Sequence, residues 1–228
     1  MVFLEQNIKG CCAKFGVDFY QFLQDFQVDS VTELSVLDLE AIAEEYEVDL
    51  YALLFKPLFV FDHLKPKLAK IKLVILDVDG VMTDGGMYYT EQGDQMKKYN
   101  TKDGMAILKA QEQGVEFGII SSAFVDKMVR NRAETLKIQH VYVGREKKID
   151  ILRGWCEQLG IALDQIAIIG DDINDLSIME HVGISACPRD AVQLVKHQSD
   201  IVLTKKGGEG VVREFVDHFL LPEPIRHF

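Results

Sequence analysis

Two aspartates one residue apart, Asp77 and Asp79, follow the apolar run "KLVIL" (72–76), and the chain then breaks at Gly80 and at Gly85-Gly86. Like charges so close raise one carboxyl pKa unless a cation lies between them. Other apolar runs end on polar groups too. Ser121 and Ser122 follow "VEFGII" (115–120), Lys147 and Lys148 follow "HVYV" (140–143) in "VGREKK", and "IIGDDIND" supplies Asp171, Asp172, Asn174 and Asp175. Aspartates, a hydroxyl, an ammonium and an acidic cluster are what phosphoryl transfer to a carboxylate requires. A magnesium ion takes hard oxygen ligands, which Asp77, Asp171 and a backbone carbonyl can provide. It offsets the repulsion between an anionic nucleophile and an anionic phosphate. A lysine and a hydroxyl then hold the phosphate oxygens in the transition state. Asp79 would protonate the leaving alcohol and later activate water.

Such groups need a scaffold that brings separate strand ends together. Short β-rich runs occur at 71–76, 115–120, 140–143, 166–170, 182–186 and 201–204,. Helical stretches lie between them, near 103–113, 124–137, 146–159, 174–181, 189–196 and 209–220. This alternation predicts an α/β fold, a Rossmann-like doubly wound parallel sheet covered on both faces. The stretch "GMYYTEQGDQMKKYNT" (86–101) interrupts it and reads as a β-hairpin insertion around Gly93-Asp94,. In open sheets of this kind ligands bind outside the carboxyl ends of the strands, where the polar residues fall.

The amino-terminal part differs. Residues 1–56 hold eleven acidic and three basic side chains, and Leu34, Leu37, Ile42, Tyr46, Leu50, Leu53 and Leu54 recur at helical spacing,. Ser35 followed by Asp38 is a helix start. The chain is therefore expected to divide into a small all-α domain (1–60), a linker with prolines and a basic end (61–70) and the α/β domain (71–228). A formal charge of −11 argues against nucleic acid as a partner,. Four cysteines without a CxxC or Cys/His pairing suit a reducing cytosol,. No basic-then-apolar leader opens the sequence, and the longest apolar run, "YALLFKPLFVF", is too short for a membrane span,. A soluble, cytoplasmic protein is expected.

"DVDGVMTDGG", "IISS", Lys148 and "GDDIND", in that order, resemble the four motifs of the haloacid dehalogenase phosphatase superfamily. The likeness is closer to its cap-less members that hydrolyse phosphorylated 3-deoxy-2-keto sugar acids, of the octulosonate 8-phosphate and nonulosonate (sialic-acid-type) 9-phosphate kinds. It spans about 71–220 and includes "KKYNTKDGMAI" (97–107) and "GGEGVVREFVD" (207–217); "GGEGVVREF" is more like the nonulosonate branch. The resemblance implies Asp77 as nucleophile and metal ligand. It makes Asp79 the general acid/base, with its carbonyl on the metal. Ser121, Ser122, Lys148 and Asn174 would bind phosphate, Lys148 over Lys147 because it lies four residues after Gly144. Asp171 becomes a metal ligand supported by Asp172 and Asp175. It further implies Mg2+ as cofactor, a role in lipopolysaccharide or sialic acid biosynthesis, and a homotetramer in which the 86–101 hairpin roofs a neighbour's site. One departure stands out: where the family reads Thr-Gly-Arg or Thr-Gly-Glu, this chain reads Ser121-Ser122-Ala123. The hydroxyl remains, but Ala123 can make no ion pair to a substrate. Separately, "LSVLDLEAIAEEYEVDLYALL" resembles the closing helices of Cro/C1-type helix-turn-helix domains. A DNA reader needs basic groups that this region lacks, so a docking or oligomerisation module is expected.

Each feature also has a plainer explanation. A DxD can cap a turn, Ser121 can cap a helix, Lys147 and Lys148 can begin a solvated helix, and Glu209 can merely start the last one. The six histidines show no ligand spacing. Two other functions use similar parts. A phospho-receiver would carry its acidic pair on the first strand and its acceptor on the third, without a later "GDDIND". A non-catalytic, ligand-sensing regulator would use the helical domain to bind a partner.

Overall fold

The computed structural model describes residues 3–48, 50–55, 58, 64–92, 95–123 and 126–221. The chain divides into two compact units, Met1–Asp62 with Pro224–Phe228, and His63–Glu223.

The described residues of the small unit form four α-helices: α1 (Leu4–Phe15), α2 (Phe19–Asp25), α3 (Val36–Glu45) and α4 (Leu50–Phe55). Gly16, at φ 70°, ends α1 in the left-handed conformation that favours glycine,. Ser35 and Asp38 form a reciprocal capping box that starts α3, as their spacing predicts,. Ile8, Cys11, Phe22, Leu39, Ile42 and Leu53 close one core. Buried Asn7 ties α1 to the end of α4, donating to the Leu53 carbonyl at 2.8 Å and accepting from the Leu58 amide at 2.9 Å. The segment after α2 is a three-residue 3₁₀ turn, Val31–Glu33, not a full helix. Lys9 pairs with Glu5 and lies over the Phe19 ring, and Lys14 lies over Phe15. The lysines described in this unit are thus taken up by local contacts.

The larger unit begins with α5 (Lys65–Leu68), a helical turn anchored by buried Leu64 and Leu68. Part of the expected linker is therefore ordered helix within this unit, while 61–63 lie outside the described residues. Then come β1 (Leu73–Leu76), the hairpin strands β2 (Tyr88–Tyr89) and β3 (Gln95–Met96), α6 (Thr101–Glu112), β4 (Glu116–Ser121), α7 (Lys127–Thr135) and β5 (His140–Val143). After these follow α8 (Lys148–Leu159), β6 (Ile166–Ile169), α9 (Leu176–Met179), β7 (Ile184–Cys187), α10 (Gln193–Gln198), β8 (Ile201–Val202) and α11 (Val211–Phe215), which continues as a wider turn to Leu220. The tip of the hairpin, Gly93-Asp94, and residues 222–228 fall outside the described residues. No helix among those described is long and apolar enough to cross a membrane.

Six parallel strands form one sheet in the order β5-β4-β1-β6-β7-β8. Every residue of β1 and β6 is buried, which accounts for their unbroken apolar runs,. Leu73 and Ile75 share a core with Leu152 of α8, Ile178 of α9 and Val195 of α10. Successive strand residues point to opposite faces, and Val74 and Leu76 are equally buried. From β1 the chain moves outward to β4 and β5, then returns to the other side of β1 as β6. That reversal opens a crevice at the carboxyl end of β1, where ligands of such sheets bind.

Candidate active site

Asp77 leaves the end of β1 at this crevice, and its amide donates to the Ile169 carbonyl of β6 at 3.1 Å. The backbone then makes a wide turn over Val78–Met82, with Gly80 at φ 91°. A side chain at Gly80 would overlap the Asp171 carboxylate as well as strain the backbone, so glycine is required twice over,. Gly207 and Gly208 of the "GGEG" stretch press on the same turn. A Cβ on Gly207 would collide with the Gly80 carbonyl, and the Gly208 amide donates to the Val81 carbonyl at 2.9 Å.

Lys148, the first residue of α8, is buried and is the centre of the charge arrangement. Its ammonium donates to Asp77 Oδ1 at 2.6 Å and to Asp175 Oδ1 at 2.7 Å. Lys147 is exposed. The other oxygen of Asp175 accepts from the amides of Asp171 and Asp172, at 3.1 and 3.4 Å. Asp175 is thus fully bonded, whereas Asp171 Oδ1 is buried with no hydrogen-bond partner among the described residues. Asp172 is exposed and accepts from the Ile173 amide at 2.7 Å, capping the turn that carries Asn174 and Asp175. Ser121 ends β4 and is buried; its hydroxyl accepts from the Ala123 amide at 3.2 Å. Asn174 donates to the Ser122 hydroxyl at 3.3 Å, joining the loops after β4 and β6.

The nine residues expected as catalytic, phosphate-binding or metal-site groups meet at this end of the sheet, and Asp77, Asp79, Ser121, Ser122, Asp171, Asp172 and Asn174 line one open cleft. Ala123 lines it as well, so the position that departs from the family pattern faces the ligand space. Met87 and Lys97 of the hairpin complete the lining. Sequence reasoning missed Lys97, whose ammonium pairs with Asp79 Oδ1. Alternation along the hairpin arm gave a signal, since Lys97 and Lys98 must point opposite ways, but not which one points inward. Glu209 is exposed and absent from this cleft.

The electrostatics call for a cation. Burial, then the Asp175 charge, push Asp77 up to about 7 against the pull of Lys148. Burial, then Asp77 and Asp175, push Asp171 up to about 8. Burial opposes the charge on Lys148, but the two aspartates outweigh it and raise its pKa. One ammonium does not balance three carboxylates. Ligand oxygens of Asp77, Asp171 and Asp175 lie within 4.8 Å of one another, and the bare oxygen of Asp171 is the type of hard donor that magnesium takes. The residues fit the ion.

A family model for haloacid dehalogenase-like hydrolases matches residues 122–215. The chain is 38% identical over 164 residues to 3-deoxy-D-manno-octulosonate 8-phosphate phosphatase KdsC of Salmonella typhi, covering 72% of this chain and 87% of that protein. The crystal structure of the enzyme of that name from Yersinia pestis superposes with a TM-score of 0.68 at 37% identity, over 70% of this chain and 86% of that one. The corresponding phosphatase from Moraxella catarrhalis, crystallised with magnesium, phosphate and KDO, gives a TM-score of 0.68 at 32% identity, over 70% and 91%.

Proposed function

The chain belongs to the haloacid dehalogenase-like hydrolases and is a magnesium-dependent phosphatase of a phosphorylated sugar, and from that premise we propose a 3-deoxy-2-keto sugar acid phosphate of the octulosonate 8-phosphate type as its substrate, cleaved through an aspartyl-phosphate on Asp77. The observation that carries the reading is the buried Lys148 bridging Asp77 and Asp175 beside the unpartnered oxygen of Asp171. Asp77, Asp171 and the Asp79 carbonyl would hold magnesium, which would supply charge neutralisation between nucleophile and phosphate,. Asp77 attacks phosphorus, the bond to the sugar's terminal oxygen breaks, and Asp79 gives that oxygen its proton. Asp79, left as a carboxylate, then takes a proton from water, whose oxygen attacks the phosphorylated Asp77 and releases inorganic phosphate. Ser121, Ser122, Lys148 and Asn174 hold the phosphate oxygens as charge moves. Asp172 and Asp175 support the ligand loop.

A second substrate, a nonulosonate 9-phosphate, is favoured by "GGEGVVREF" at 207–215. Steady-state hydrolysis of 3-deoxy-D-manno-octulosonate 8-phosphate, sialic-acid-type 9-phosphates and simple sugar phosphates, with magnesium and after chelation, tests both. The expected outcome is the highest kcat/KM for the octulosonate and loss of turnover on chelation. Preference for simple sugar phosphates would refute the substrate class, and undiminished rates in chelator would refute the metal.

The cleft is open, and the hairpin exposes Met87, Tyr88, Tyr89 and Met96. We assign this apolar surface to a homotetramer in which a neighbouring copy covers the cleft, since exposed apolar groups of this size mark contact sites. Light scattering should give four times the 25.8 kDa chain mass; a fully active monomer would contradict the assignment. The helical unit is assigned to docking or oligomerisation, and tight binding to duplex DNA at physiological salt would overturn that. The four cysteines are free, which suits the proposed cytoplasmic setting,.

A further inference from the structure

Among the described residues, Lys97 is the charged group lining the cleft that none of these steps uses. It follows β3 directly, and its side chain is only 4% exposed. Around it the hairpin residues Met87, Tyr88, Tyr89 and Met96 are all more than half exposed. Folding a long, flexible side chain inward costs rotamer freedom, and desolvating its ammonium costs more. Among the described residues one contact offsets this, the ion pair with Asp79. Lys98, the adjacent residue, points the other way and remains largely in solvent.

The pairing is selective for one carboxylate oxygen. Lys97 meets Oδ1 of Asp79, and the buried Thr83 hydroxyl lies 3.4 Å from that same oxygen. Thr83 also lies 3.3 Å from the Val78 carbonyl, so its single proton is divided between two acceptors and Lys97 is the firmer partner. Oδ2 has no partner among the described residues. Asp79 also sits in non-helical backbone inside the turn, at φ −83° and ψ 117°, next to a glycine in the left-handed region. The contacts to its carboxylate, from Lys97 and Thr83, come from residues outside the turn.

We propose that Lys97 is a positioning residue for the acid–base step: its ammonium holds Asp79 by Oδ1 in both protonation states, so that Oδ2 carries the proton given to the leaving oxygen and then, ionised, takes one from water. The hairpin on this view supports the proton-transfer group as well as covering the cleft. The inference rests on Asp79 being the general acid and base. A proton donor acts only within bonding reach of the oxygen it serves, so an unanchored Asp79 spends most of its time in unproductive rotamers.

The test compares full-length wild type, Lys97→Met, Lys97→Arg, Asp79→Asn and the Lys97→Met/Asp79→Asn double variant, using 3-deoxy-D-manno-octulosonate 8-phosphate with saturating magnesium. General acid–base groups contribute about 10²- to 10⁴-fold, so losing the anchor should lower kcat about 10- to 100-fold while KM stays within about threefold. Lys97→Arg should recover part of that loss. The double variant should be no slower than Asp79→Asn, because Lys97 acts only through Asp79. A kcat for Lys97→Met close to wild type overturns the proposal. So does a raised KM at unchanged kcat, which would make Lys97 a substrate ligand, and so do losses that multiply in the double variant. If Lys97→Met does not fold by circular dichroism, Lys97→Gln takes its place in the cycle. Asp79→Asn as fast as wild type would instead remove the acid–base assignment of Asp79, and that result is read independently of any Lys97 variant.

Discussion

Asp77→Asn should abolish phosphate release, with kcat falling by at least about 10³-fold, the scale on which loss of a covalent nucleophile is felt. An amide has the shape of the carboxylate but neither its charge nor its nucleophilic oxygen pair. The fold should survive the change. Asp77 is buried at a strand end, its backbone amide bond to Ile169 does not involve the side chain, and Asn can still accept from Lys148. Removing a carboxylate whose pKa burial and Asp175 have raised to about 7 also removes part of the repulsion in the metal-free site. Thermal unfolding without magnesium should therefore occur at or above the wild-type temperature while turnover disappears. Phosphate release at the wild-type rate would refute Asp77 as the nucleophile.

Lys148→Met should be nearly as severe for activity and, unlike Asp77→Asn, severe for stability. Lys148 is the buried counter-charge to Asp77 and Asp175, at 2.6 and 2.7 Å. Removing one partner from a buried ion pair strands the others, a cost of about 3–5 kcal/mol. Loss of the donor proposed to hold the transferring phosphate should lower kcat/KM by about 10²- to 10³-fold. The stability effect should depend on pH in a definite direction. A carboxyl whose pKa is raised in the folded state contributes stability that is present below its ordinary value, near 3.8, and is lost as pH rises through the folded value. For Asp77 that window runs from about 4 to about 7 in the wild type. Without Lys148 it extends higher, because the one group pulling this pKa down is gone. The difference in Tm between wild type and Lys148→Met, measured without magnesium, should thus be smallest near pH 5 and widen through pH 7 to 8. A difference that narrows with rising pH would mean Asp77 and Lys148 do not share a charge balance.

The amino-acid sequence by itself determined the strand runs, their alternation with helices and the polar residues that end them. These are local properties. β1 and β6 are apolar at every position because a parallel sheet covered on both faces buries both sides of each strand,. A residue at the end of such a strand has nowhere to lie but the edge of the sheet. Hence Asp77, Ser121 and Asp171 were identifiable as site candidates from their places after apolar strands, and the order of their motifs by its resemblance to a phosphatase family. The small helical unit was equally legible from Ser35, Asp38 and the apolar period.

Tertiary structure supplied the physical ground for choosing among similar groups: for Lys148 and Asp171 the family resemblance already pointed the same way, and for Lys97 the structure alone chose. Lys147 and Lys148 are chemically alike, but Lys147 lies in extended backbone just before α8 and faces water, whereas Lys148 is the first helical residue and is buried. Asp171 and Asp175 belong to one acidic run, but amide donors saturate Asp175 and leave an oxygen of Asp171 bare. Lys97 and Lys98 are neighbours on a hairpin arm whose alternation says that they part company, not which one meets Asp79. The physical reason is common to all three pairs. Spacing along a chain fixes relative direction, whereas the choice of partner depends on burial and on hydrogen-bond donors that reach the site from strands and loops remote in sequence.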